Sequence, residues 1–392
     1  MAETEDHASH SVSRSMANNA GPSFIDSKLS GSLPLASAAL GSFCFCDDFA
    51  DIDSMAQLVS STSTSLANFV SARGSPLRPL FSSLTSLHHE APLPKWADAS
   101  ERLSLSQTSI TVNHQGPAAD EQVLLFPGCY SSYNQPNLAF DALYVLSKQG
   151  VQCDSLYPGC CGIPQLEQGD LASVSKKAAF VAAELIRKVR DLQSSSTRNV
   201  TVVSLTPSCS FMIKSEWPLL LPHDENIKSL ANMTADVSEY VSRIFKKYSP
   251  AAGMAPLPNS ERAILHSACH SRAQNIGNRA QQVLQYIPKL SVSVVSKCSG
   301  HGGLWGCKSS THASAVKTGQ AAKVAIEKSI EKAKKEVTFC RFLGQVVCSA
   351  KAAAGLVLNL RQRVSFGLQP PCTHDLRRLQ SRFVCRLPGA EV

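Results

Sequence analysis

Cysteines fall at matching joints of two halves of this 392-residue chain, and that recurrence constrains the fold more than any other feature. LLFPGCYSS puts Cys129 just beyond a short apolar run, and ILHSACHSR puts Cys269 in the same position. Thirty-one residues after Cys129, PGCCG supplies Cys160 and Cys161; twenty-nine after Cys269, KCSGHGG supplies Cys298. Residue type, local context and spacing recur together, which internal duplication explains and chance does not.

The segments around these joints alternate in period. VLLFPG (123–128) is an apolar run closed by Pro-Gly, the signature of a buried strand. Asn137 to Lys148 reads as a helix with Leu138, Ala142 and Val145 on one face, and VQCDSLYPG (151–159) as a second strand. A long helix follows, in which Leu171, Val174, Ala178, Val181, Leu185 and Val189 recur every three or four residues. NVTVVSL (199–205) is a third strand stopped by Pro207, and Asp236 with Glu239 forms a capping arrangement at the start of another helix. The second half repeats the order: strand 263–267, helix Arg272 to Tyr286, strand 290–296 and helix Thr311 to Lys335. Strand–helix alternation favours parallel pairing with right-handed crossovers. The expected fold class is α/β, with two pseudo-repeated Rossmann-like cysteine-rich modules, parallel strands and disordered flanks. Residues 1–118 read as largely disordered or linker, with 84–104 lying on the next domain. The first module is expected at 119–255, a second, incomplete one at 256–336, and an unassigned basic tail at 337–392.

Fourteen cysteines are too many for idle thiols, and disulfide frameworks belong mainly to small secreted domains. The opening MAETEDHASHSVSRS is polar and lacks an apolar signal core, so a cytoplasmic or organellar-matrix location without a secretory signal is expected. In a reducing compartment, clustered cysteines bind metal or do redox chemistry. Of the formal charge of +8, six units come from residues 337–392, which hold eight Lys/Arg against two Asp/Glu. The near-neutral body argues against nucleic acid as a partner. The most apolar stretch, Leu343 to Leu360, is broken by Gln345, Lys351 and Asn359, and no membrane span is expected there.

Loops at the carboxyl ends of parallel strands share one crevice. Cys129, Cys160, Cys161 and Cys209 (in TPSCS, after the third strand) can therefore converge. Four thiolates meet the demand of either a cubane iron–sulfur cluster or a closed zinc site. Gly128, Gly159 and Gly162 allow close backbone approach, and their amides can donate to cluster sulfurs. The adjacent pair Cys160–Cys161 is foreign to zinc fingers and suits a multi-iron cluster better. His270 and His301 stand beside motif cysteines, but a structural role is favoured for both. Cys269 with His270 as base would make a thiol enzyme, yet no third group orients the pair.

LFPGCYSSYNQP, PGCCGIP, PSCSFMIKSEWP, HSACHSRAQNIG and CSGHGGLWG together resemble the duplicated cysteine-rich "CCG" domain of the heterodisulfide reductase B family. Relatives of the iron–sulfur subunit of anaerobic glycerol-3-phosphate dehydrogenase are the nearest in pattern, over about residues 120–335. The resemblance implies a [4Fe–4S]-type cluster and an iron–sulfur oxidoreductase subunit. Electrons would pass between a flavin-containing partner and a quinone or disulfide acceptor, with any membrane association peripheral and through a partner. It also implies Cys129, Cys160, Cys161 and Cys209 as ligands of the first half, and Cys269 and Cys298 as those of the second. The alternative is a zinc-stabilised binding module that has lost redox function. The chain departs from the pattern at Met212, where a C-x-x-C would end, and at Ser299, where a second cysteine would stand. It contains no ferredoxin-type C-x-x-C-x-x-C run. Cys348 has the spacing but not the surroundings of a closing ligand.

Overall fold

Every residue of the strand Gln122–Phe126 is buried, because helices cover both faces of the sheet it centres. The computed structural model describes residues 51–61, 63–98, 116–196, 198–251, 261–333 and 337–340. Three helices come first: α1 (Ile52–Ser61), α2 (Thr64–Ser71) and α3 (Arg78–Thr85). Then follow β1 (Gln122–Phe126), α4 (Gly128–Tyr133), α5 (Asn137–Lys148), β2 (Gln152–Ser155), α6 (Ile163–Leu166) and α7 (Leu171–Ser194). β3 (Val200–Ser204) leads through α8 (Pro207–Phe211), a π-helical turn (Met212–Glu216) and α9 (Trp217–Leu220) to α10 (Glu225–Met233), β4 (Thr234–Asp236) and α11 (Val237–Tyr248). The second half contains β5 (Glu261–His266), α12 (Cys269–Ala273), α13 (Arg279–Leu284), β6 (Leu290–Val295), α14 (His312–Ala333) and β7 (Val337–Cys340).

The strands form two parallel sheets, ordered β2-β1-β3-β4 and β6-β5-β7. Leu125 pairs with Ser155 on one side and Val203 on the other. In the second sheet Leu265 pairs with Val294 and Cys340 in the same way. The expected α/β class with parallel strands is thus what forms, and the order β6-β5-β7 matches β2-β1-β3 of the four-stranded sheet.

Alternation along β1 sorts its side chains into two cores. Val123 and Leu125 pack with α5 and α11, while Leu124 and Phe126 pack with α7, α10 and the cysteines. Helix α7 buries Val174, Ala178, Val181, Leu185 and Val189 as its period requires, but Leu171, at its first turn, is half exposed. At α11 the capping box forms: Asp236 accepts from the Ser238 amide at 2.9 Å, and Glu239 accepts from the Asp236 amide at 3.4 Å. The halves are joined through apolar packing, since Leu265, Val283, Leu284 and Ile287 share a core with Val123, Leu125 and Val203.

Three features differ from the sequence reading. Residues 52–85, read as linker, form helices α1 to α3, whose short apolar stripes are too brief to show a clear period. The single helix read over Arg272–Tyr286 is two, α12 and α13, parted at Asn275 and Gly277, which both take left-handed backbone. The second sheet also draws a strand, β7, from beyond residue 336. Cys44, Cys46 and Cys348 lie outside the described residues.

Candidate metal centre

Four cysteines meet at the carboxyl edge of the first sheet, each delivered by a different local device. Beyond β1 the chain turns at Gly128, whose φ of +75° suits glycine. A Cβ there would lie 3.2 Å from Cys209 Sγ, so the missing side chain admits that sulfur. Cys129 then stands in the first turn of α4. After β2, the Pro-Gly-Cys-Cys-Gly turn carries Cys160 and Cys161, both fully buried, and ends on Gly162 at φ +84°. The Gly162 amide donates to Cys160 Sγ at 3.5 Å. Cys209 arrives on α8, just beyond β3, and is 2% exposed.

Hydrogen-bonding contacts string the sulfurs together in the order Cys129, Cys160, Cys161, Cys209. Cys160 is the acidic member: donation from the Cys129 and Cys161 thiols holds it well below the ordinary thiol range. Cys129 and Cys161 are pushed well above it, first by their contacts to neighbouring sulfurs and then by burial. Among the described residues, the group with three or more ligating atoms all within 4.8 Å of one another is His88, Glu90 and His312.

Sequence reasoning missed the groups behind the cysteines. Asp53 of α1 reaches across more than a hundred residues to accept from the Cys160 amide at 2.9 Å. The same carboxylate accepts from the hydroxyls of Tyr157 (2.6 Å) and Tyr133 (3.0 Å) and lies 3.6 Å from Lys177 Nζ. Burial pushes both tyrosine hydroxyls well up, and the neighbouring Asp53 charge adds to the effect. Trp217, fully buried, donates Nε1–H to the Cys161 carbonyl at 3.0 Å. Trp217 lies in the quoted motif PSCSFMIKSEWP, but FADIDSM around Asp53 carries no local signal of a site.

Cys269 and Cys298 are exposed and do not belong to this string of sulfurs. Their local geometry nevertheless repeats it. Cys269 opens α12 as Cys129 opens α4, and the Gly300 amide donates to Cys298 Sγ at 3.4 Å, as Gly162 does to Cys160. Helix α12 rests on α8 through Gln274, which donates to Pro207 O (3.0 Å) and Ser210 Oγ (2.9 Å), and through the His270 ring stacked on Phe211. His270 is thus occupied by packing. Arg272 reaches Cys269 Sγ at 3.5 Å.

Among the described residues, no helix is long and apolar enough to cross a membrane. No family model matches the chain, and no solved structure does. It is 27% identical over 256 residues to one of the subunits of the anaerobic glycerol-3-phosphate dehydrogenase of Escherichia coli (strain K12), covering 64% of this chain and 61% of that protein. It is 24% identical over 272 residues to one of the subunits of the dihydromethanophenazine:CoB–CoM heterodisulfide reductase of Methanosarcina barkeri (strain Fusaro / DSM 804), covering 67% and 60%. The chain spans about three fifths of the length of the curated relatives it matches. One relative is part of a dehydrogenase and the other part of a reductase, so this chain is homologous to subunits of oxidoreductase complexes.

Proposed function

We propose that the protein is the iron–sulfur electron-transfer component of an oxidoreductase complex, with Cys129, Cys160, Cys161 and Cys209 holding a [4Fe–4S]-type cluster. The observation that carries this reading is the sulfur arrangement: four cysteines from three successive strand ends, three of them buried, joined in a string. The adjacent pair Cys160–Cys161 also favours a multi-iron cluster over one zinc ion, whose cysteine ligands come as C-x-x-C.

Bound there, the cluster supplies one-electron chemistry. The protein's part is to set the surroundings. The Gly162 amide directs its proton at Cys160 Sγ, and such donation to a ligand sulfur raises a potential. Asp53 fixes the Cys160 amide, and Trp217 fixes the Cys161 carbonyl, so the turn carrying both thiols is braced from two sides. Leu124, Phe126 and Val181 surround the sulfurs with apolar atoms and exclude water.

On this reading residues 119–255 and 256–336 are two modules of one duplication, and Cys269 and Cys298 are ligands contributed by the second. The partner is a flavoprotein dehydrogenase or another redox protein of the same complex, and the acceptor a quinone or disulfide. Anaerobic reconstitution of the full chain with iron and sulfide tests the proposal. About four irons and four sulfides per centre are expected, with an EPR signal on reduction that is lost in Cys160→Ser and Cys161→Ser. Stoichiometric zinc without sulfide would sink it.

A further inference from the structure

Cys209 stands in α8, a single regular turn that runs straight into the π-helical turn Met212–Glu216. So short a stretch has little helical stability of its own, and its geometry depends on what it packs against. Within the first half, Gly128 leaves room for the sulfur. From the second half, α12 and the residue that closes it, Gln274, lie against α8.

Gln274 Nε2 lies 2.9 Å from Ser210 Oγ, 3.0 Å from Pro207 O and 3.2 Å from His270 O. Two of these partners are carbonyls, which can only accept, so the side-chain nitrogen and not the oxygen must face α8. Two protons serve three acceptors, and the two shortest contacts are those to α8. Pro207 and Ser210 flank Cys209, so one amide grips the turn that carries the sulfur. Ser210 is fully buried and extends the contact, its hydroxyl lying 3.1 Å from Pro207 O and 3.3 Å from Asp236 Oδ2, the carboxylate that caps α11. Next along α8, the Phe211 ring stacks on His270, with centroids 5.5 Å apart. His270 and Gln274 are four residues apart and so share one helix face. Beside them a small cavity is lined by Ser238, Ser271 and Asn278, and Ser271 Oγ has no partner among the described residues. The hold on α8 is thus concentrated in two side chains.

We propose that the second half serves the first centre, with Gln274 as the residue that positions Cys209 and His270 as its support. This rests on the reading that Cys209 is a cluster ligand. It gives the second module a task at a centre whose four sulfurs all come from the first: to hold the strand-end turn that delivers the last of them.

Alkylation of the metal-free full chain by iodoacetamide, read cysteine by cysteine by mass spectrometry, tests this. Cys209 is 2% exposed and should react slowly in the parent. Gln274→Met, close in volume but without a donor, should speed its modification about tenfold, the equivalent of roughly one net hydrogen bond in a local opening. Cys160 and Cys307, also buried, should keep the parent's rates. His270→Phe preserves the ring stack and should leave Cys209 slow, whereas His270→Ala should speed it. Circular dichroism checks that each variant is folded. Unchanged Cys209 reactivity in both Gln274→Met and His270→Ala would overturn the proposal, as would an equal rise at Cys307, which would mark general loosening. Iron and sulfide content of the reconstituted parent tests the cluster reading separately. A parent without sulfide would fail that reading, while the alkylation pattern still decides whether Gln274 positions Cys209. In a parent that does load, the EPR spectrum on reduction should change in Gln274→Met, and an identical spectrum would also overturn the proposal.

Discussion

Replacing Asp53 with alanine tests whether α1 is a structural part of the cysteine centre. Its carboxylate accepts three hydrogen bonds, from Tyr157 at 2.6 Å, the Cys160 amide at 2.9 Å and Tyr133 at 3.0 Å. Hydrogen bonds to a charged group contribute about 1.5–3 kcal/mol each, which bounds the loss at roughly 5–9 kcal/mol. The Asp53 side chain is 22% exposed, so water can reach some of the orphaned donors. The Lys177 contact, at 3.6 Å and similarly exposed, adds little after solvent screening. An expected loss of about 3–5 kcal/mol remains for Asp53→Ala, with a smaller loss of about 1–2 kcal/mol for Asp53→Asn, which keeps an acceptor. Urea unfolding followed by circular dichroism measures both. An Asp53→Ala chain within about 0.5 kcal/mol of the parent, on the order of an ordinary surface substitution, would refute the role assigned to Asp53. So would equal losses in the alanine and asparagine variants.

Gly128→Ala should destabilise by about 2–3 kcal/mol and reduce iron uptake, because left-handed backbone strain adds to crowding of Cys209 Sγ. Gly74→Ala, with φ +83° but nothing within 4 Å of its new Cβ, should cost only about 1 kcal/mol; equal losses at the two sites would disprove the crowding. Trp217→Phe should cost about 1–3 kcal/mol by orphaning the Cys161 carbonyl, and Trp217→Ala about 3–5 kcal/mol by opening a cavity, both read from urea midpoints. The Tyr157 hydroxyl is raised in the fold, so its contribution is complete below the free-tyrosine pKa of about 10 and is lost as pH climbs beyond it. Tyr157→Phe should therefore show a shallower fall in stability above about pH 10 than the parent, and identical slopes would contradict that linkage.

The parallel sheets were legible because burial on both faces writes strands as apolar runs: Val123 to Phe126 needs no partner to be read. Helix α5 matched its sequence bounds, and the Asp236–Glu239 box was visible as a pair of residue types at fixed spacing. β4 was missed because three residues cannot establish a period, and α10 because only Ile227 and Leu230 of its nine residues are buried. At the site, cysteine spacing pointed to the four residues that meet at the first sheet's edge. Asp53 was illegible for another reason: its partners lie 80 to 107 positions away, and a lone aspartate at a helix start looks like any cap.

The two halves show which features of such a module the fold protects and which it leaves free. Strand order is kept, the strand-end cysteine is kept, and so is the glycine amide that donates, two residues on, to the cysteine of the second loop. Those features serve backbone geometry as much as chemistry. What differs is the set of side chains at the strand ends: Ser299 stands where the first half has Cys161, and Cys269 and Cys298 are exposed where Cys129 is half-buried and Cys160 buried. The register sharpens the contrast. Cys209 lies six positions beyond Val203, the partner of Leu125; counted the same way from Cys340, the partner of Leu265, the matching position is Val346. A sheet depends on apolar alternation spread over many residues, so single substitutions leave it standing. A four-sulfur centre depends on each ligand individually, and one exchange is enough to remove it. The order β6-β5-β7 thus matches β2-β1-β3, while among the described residues four neighbouring cysteines are gathered only at the edge of the first sheet.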